Sequence, residues 1–148
     1  MTTVFEAAGG DAGLLALARA WHARCLADPV ASHPFSHGLH PQHVERLAAY
    51  WGEALGGPTN FTDSMNDEAG VLRIHAGNGE HRELDQIAVS CFDAALDDVG
   101  LTEQPLRGVL HDYFAWSTDR MGRHPDSPDT VADDERLPHW DWDGPVSR

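Results

Sequence analysis

No part of this chain alternates apolar and polar residues with period two, whereas four stretches repeat apolar residues at spacings of three and four. The first carries Leu14, Leu15, Ala18, Trp21, His22 and Cys25; the second carries Val44, Leu47, Ala48, Trp51 and Leu55. The third carries Leu84, Ile87, Ala88, Cys91, Ala94 and Ala95, and the fourth Leu106, Val109, Leu110, Tyr113, Phe114 and Met121. Such spacing gathers each set on one face of a helix. Breakers fall between them at Gly9-Gly10, Asp28-Pro29, Gly56-Gly57-Pro58 and Gly100. The pattern predicts an all-α chain. A short helix opens it over residues 3–8; Asp11 is expected to cap the first long helix, Pro41 to start the second and Thr102 to cap the fourth, with Pro105 in its first turn. Residues 29–41 read as irregular, 59–70 as a polar loop, and 80–99 as the third long helix.

Residues 1–123 form the predicted helical domain, and 148 residues hold one core, not two. The hydrophobic fraction of 41% is that of a soluble globular protein. No apolar run approaches the roughly 18 residues that cross a bilayer, and the start lacks the pattern of a secretory signal. A formal charge of −14 argues against nucleic acid, which demands clustered Lys and Arg, and against an anionic membrane surface. The two cysteines, Cys25 and Cys91, lie on apolar helix faces and read as buried free thiols of a cytoplasmic protein.

After His124-Pro125 the composition turns acidic and turn-forming, through Asp126-Ser127-Pro128-Asp129 and Asp133-Asp134-Glu135. The same tail contains His139-Trp140-Asp141-Trp142-Asp143. Two indoles are a large apolar surface to leave in water, so the extension 124–148 is expected to dock on the body through one or both.

Chemistry centres on the run Val71-Leu72-Arg73-Ile74-His75-Ala76-Gly77-Asn78-Gly79. Apolar neighbours favour a neutral imidazole whose lone pair is available to a metal, and the glycines after it release the chain sharply. Taken alone, such a residue reads first as a hydrogen-bonded core histidine. The chain has ten histidines in all, and the others include the run His33, His37, His40 and His43. Pro34, Gly38 and Pro41 interrupt it and no thiol is near, which argues against a dedicated zinc site. The chain has no His-Glu-x-x-His, no phosphate-binding glycine loop, no Gly-x-Ser-x-Gly elbow and no Cys-x-x-Cys-His. Most carboxylates fall on polar faces or in the tail, where solvated charge is the expectation. What remains is one perched histidine opposed by helices offering imidazoles and aromatics, the pattern required by a haem pocket.

Several segments, in order over residues 4–122, resemble the truncated haemoglobins of the second group. Val4-Phe5-Glu6-Ala7-Ala8-Gly9-Gly10 is similar to that family's short first helix with its paired glycines, and His33-Pro34-Phe35 to its aromatic corner. Glu45-Arg46-Leu47 through Trp51 to Leu55-Gly56-Gly57-Pro58 resembles the distal helix, and Leu72-Arg73-Ile74-His75 the lead-in to the proximal histidine.

The resemblance implies a two-over-two helical sandwich holding haem b non-covalently, with His75 as the axial ligand of the iron. It implies that Phe35 packs on the porphyrin, Leu47 covers the distal face, Tyr50 and Trp51 wall the pocket, and Arg46 pairs with a propionate. Phe61 stands where the family often has a tyrosine near a propionate. His22 stands where it usually has tyrosine, and His43 where it has alanine, serine or histidine. Ala88 stands where the second group places a ligand-binding tryptophan. Two imidazoles thus face a space without its indole, and either is a candidate to steady the ligand or to bind the iron itself. The implied function is reversible binding of oxygen, nitric oxide or carbon monoxide by a monomer or homodimer. Nitric oxide dioxygenation with an external electron donor, peroxidase or oxidase chemistry, and gas sensing stand as its further forms.

Overall fold

The computed structural model describes residues 2–36 and 38–146. The elements in chain order are α1 (Val4–Ala7), α2 (Gly10–Leu26), a 3-10 turn His33–Phe35, α3 (His43–Ala54), α4 (Asn60–Ser64), α5 (Glu68–His75), α6 (Arg82–Asp98) and α7 (Leu106–Met121). The tail adds a second 3-10 turn, Pro128–Thr130, and two short strands, β1 (Trp140–Asp141) and β2 (Gly144–Pro145).

Thr3 caps α1, its hydroxyl accepting from the Glu6 N–H at 3.1 Å. Between α1 and α2 the chain turns through Gly9 at φ +102°, and α2 starts one residue before Asp11, with Gly9 rather than Asp11 at its cap. The left-handed backbone there ends one helix and begins the next without a side-chain cap. At the far end of α3, a Cβ on Gly57 would stand 2.6 Å from the Phe5 ring and 2.8 Å from the Gly52 carbonyl oxygen. The glycine therefore lets α1 close over the end of α3, and the Phe5 N–H donates to the Leu55 carbonyl there at 2.9 Å.

α2 packs on α3 and crosses onto α6, which pairs with α7. These four helices make the two-over-two sandwich. Its core holds Leu14, Leu17, Trp51, Phe92, Leu96, Leu110 and Tyr113. Phe92 and Phe114 stack at 4.2 Å, with Trp51 edge-on to both at 5.4 and 5.9 Å. Cys25 and Cys91 are buried and free, in a satellite cluster with Ala31.

Several local expectations are corrected. α3 begins at His43, not at Pro41, and Pro105 lies at the cap position of α7, outside the helix, leaving Thr102 farther out. The loop 59–70 is not irregular: it contains α4 and the start of α5, whose cap is Asp67 accepting from the Gly70 N–H at 2.8 Å. Two carboxylates are buried rather than solvated, Glu53 and Glu68. The body is all-α as predicted, and the tail adds only the short antiparallel pair β1–β2, with Trp140 opposite Pro145.

The tail lies on the body. Trp140 is buried, edge-on to Tyr113 at 5.8 Å and Trp116 at 5.7 Å. The Trp142 indole N–H donates to the Thr2 carbonyl at 2.9 Å, bringing the two ends of the chain together. No helix among the described residues is long and apolar enough to cross a membrane.

Candidate functional site

His75 is the last residue of α5, and Gly77, at φ +77°, turns the chain away after it. Its Nδ1 lies 2.8 Å from the Val71 carbonyl oxygen one turn back. A carbonyl only accepts, so Nδ1 carries the hydrogen and Nε2 is left with a lone pair. The residue keeps an exposed face. Protein around the rest of it nevertheless desolvates the ring, and this burial holds its pKa below the ordinary histidine value against the opposing effect of the Val71 bond. The imidazole is thus neutral, oriented and armed with one free nitrogen, the state a metal requires.

Two more imidazoles pack against one another. α2 supplies His22 and α3 supplies His43, with ring centroids 5.3 Å apart. Phe35 presents its ring to both, at 5.1 Å from His22 and 5.5 Å from His43. Burial lowers the pKa of each histidine, and His43 is lowered further by His22 and by His75. Nδ1 of His22 and Nε2 of His43 are buried and have no hydrogen-bond partner within the protein. Such groups are costly unless something satisfies them.

The Trp21 indole N–H donates to the Ala88 carbonyl oxygen at 3.0 Å, and its ring meets Phe35, Trp51 and Phe114 edge-on. The indole beside Ala88 thus belongs to the neighbouring helix, and its one donor is spent on backbone. Position 88 itself is half-buried. Leu47 is half-buried against the core, and Arg46 donates to the Met65 carbonyl at 3.1 Å. Trp51 lies deep among aromatic rings.

Tyr50 and Phe61 meet edge-on at 5.2 Å. The Tyr50 hydroxyl donates to Glu68 at 2.7 Å, and Arg120 donates to the other oxygen of that carboxylate at 2.8 Å. Burial pushes the Glu68 carboxyl up, opposed by its bonds from Arg120 and Tyr50. Sequence reasoning missed Glu68, since an acidic residue in a first helical turn ordinarily faces water and the helix dipole. It also left Trp21 in the core stripe, although its place next to His22 was a usable signal.

Of the histidine-rich run, His37 lies outside the described residues, and the His40 Nδ1 accepts from the Gln42 N–H at 3.0 Å. Among the described residues no cluster of three or more His, Cys, Asp or Glu is arranged to hold a metal ion. A groove of about 640 Å³ runs along α6 and α7, but it includes none of the candidate residues, and its His81 and His111 are each paired with an aspartate.

The family profile of the bacterial-like globins matches residues 3–114. The chain belongs to that family. No curated protein matches it. Among solved structures, this globin is similar to the group II truncated haemoglobin of Bacillus anthracis, with TM-score 0.73, 21% identity, and coverage of 86% of this chain and 95% of that one. The haemoglobin of Chloroflexus aurantiacus gives a TM-score of 0.69 at 24% identity, covering 82% and 98%. The thermostable haemoglobin of Thermobifida fusca gives 0.66 at 23%, covering 90% and 100%. The fold is that of the group II truncated haemoglobins, and membership of the globins implies haem as the cofactor and gas binding as the general activity.

Proposed function

We propose that this globin holds haem b without a covalent link, with His75 as the axial ligand, and binds oxygen and other diatomic gases. The observation that carries the reading is a neutral His75 with Nε2 free, in a chain whose His22 and His43 each hold a buried nitrogen that lacks a partner. When bound, haem supplies an iron centre that takes diatomic ligands and exchanges single electrons. The Val71 carbonyl fixes the tautomer and the rotation of the His75 ring. Phe35 and Leu47 give the porphyrin apolar contacts, Tyr50, Trp51, Phe61 and Ala88 belong to the surrounding wall, and Arg46 offers its guanidinium to a propionate.

On the distal side, His22 and His43 supply hydrogen-bond donors to a ligand that gathers negative charge, the same logic as any preorganised site for an anion. Trp21 does not take this role, because its indole is already committed to Ala88. The finer activity in this reading is dioxygenation of nitric oxide to nitrate, in the cytoplasm, with each electron consumed coming from an external donor.

A second reading has its own support in the His22–His43 pair. Two adjacent neutral imidazoles can accept a proton at one nitrogen and return it at another, the transfer required to cleave a peroxide.

The test is the absorption spectrum of the purified, haem-supplied protein, ferric and ferrous, before and after carbon monoxide. The expected result is a Soret band that shifts with carbon monoxide and is lost in His75→Ala. Absence of a Soret band from the wild-type protein overturns the haem reading. Turnover of peroxide faster than of nitric oxide selects the second reading over the first.

A further inference from the structure

α5 has eight residues, about two turns, too short to hold its own direction in water. Its orientation must come from what it packs against, and the element it meets most is the tail's 3-10 turn Pro128–Thr130. Ala69 and Leu72 of α5, with Ala76 just past its end, form a small cluster with Val131 of the tail and Met121. Polar contacts then flank His75 on both sides. Two residues before it, Arg73 donates to the Val131 carbonyl at 3.3 Å and pairs with Asp133. Two residues after it, the Gly77 N–H donates to the His124 carbonyl at 2.9 Å, and farther on the Gly79 N–H donates to the Pro125 carbonyl, also at 2.9 Å. A Cβ at Gly77 would stand 3.3 Å from the Pro128 ring, so the tail sits close against this turn.

The His75 ring is itself bonded back to its own helix through Val71. Ring and helix therefore move as one body, and whatever fixes α5 fixes the imidazole. We infer that residues 124–133 are a brace that sets the tilt of His75 toward the iron, with Arg73 and Val131 as its positioning residues. The extension is then part of the proximal side of the site and not an appendage to a complete globin. This inference rests on the haem reading for its consequence at the iron, but the brace itself is a property of the protein alone.

The experiment uses the full chain as wild type, Arg73→Met, Arg73→Lys and Val131→Ala. In the haem-loaded ferrous proteins, resonance Raman reads the iron–histidine stretching band. In the haem-free proteins, amide hydrogen exchange reads Gly77 and Gly79. Arg73→Met and Val131→Ala are expected to shift and broaden the band and to speed exchange at both glycines about fivefold or more. Arg73→Lys, which keeps a charged donor, is expected to stay near wild type. An unchanged band and unchanged exchange in Arg73→Met overturn the brace, whether or not Val131→Ala folds. A wild-type protein that takes up no haem overturns the haem reading instead, and the exchange rates still decide the brace.

Discussion

The rings of His22 and His43 stand 5.3 Å apart with Phe35 against both, and one buried nitrogen of each has no partner. An unsatisfied buried nitrogen costs about 1–3 kcal/mol, and a ligand that accepts from it recovers that cost. His22→Leu and His43→Leu are therefore expected to leave the ligand-free protein at least as stable, while oxygen dissociates about tenfold faster or more. Stopped-flow dissociation rates for both single variants and the double variant check this. Wild-type rates in all three would remove the imidazoles from ligand stabilisation.

The same burial predicts a pH dependence in the ligand-free protein. Burial holds the folded pKa values of His75, His22 and His43 below the ordinary histidine value of about 6.5. Below that value the unfolded chain binds protons that the folded chain resists, so stability rises with pH through this window. It is complete above about pH 6.5 and is lost as pH falls from there through the folded values. Glu68, raised by burial, acts in the opposite direction above its ordinary range, so the net slope is smaller than three histidines alone would produce. Thermal midpoints between pH 8 and pH 5 should decline with acid (a window of about three units around the histidine range), and less steeply in the double variant His22→Leu/His43→Leu. Parallel curves would rule out these two rings as the titrating groups.

Glu68 joins three helices, taking the Tyr50 hydroxyl from α3 and the Arg120 guanidinium from α7, while Arg120 also reaches Glu135 of the tail at 3.1 Å. Glu68→Gln keeps the Tyr50 bond but leaves Arg120, little exposed, with the tail carboxylate as its remaining partner. We expect a loss of about 3 kcal/mol, measured by denaturant unfolding. A change below about 1 kcal/mol would mean that water replaces the carboxylate without penalty.

Trp140 anchors the tail between Tyr113 and Trp116, and its indole nitrogen is buried without a partner. Removing the ring in Trp140→Ala should cost about 3 kcal/mol, whereas Trp140→Phe, which loses no hydrogen bond, should cost about 1. Equal losses in the two variants would show that ring packing is not the source of the anchoring.

The order and faces of the helical body were readable because apolar spacing is a local property. Leu14 and Ala18, or Leu110, Tyr113 and Phe114, lie about a turn or less apart, and each set is buried as its period requires. Caps were less legible. Gly9 and Asp11 both offer a plausible start to α2, and the choice between them depends on how closely α1 approaches. α4 and the first turn of α5 were missed because their residues are polar, and Glu68 looks no different in sequence from a solvated glutamate. Trp21 was visible as core but not as the indole beside Ala88, since that pair is separated by 67 positions.

By itself the sequence determined that this chain makes helices, where most of them stop, and that one histidine is set apart before a glycine turn. These follow from periodicity, breakers and composition, which act over a few residues. Only the tertiary structure decided that His22 and His43 pack against one another and Phe35, that Glu68 is buried between Tyr50 and Arg120, and that the acidic tail packs against α5. Those contacts join residues that are distant in the chain. Their energies come from burial and from pairing across helices, quantities that exist only once the elements are packed together.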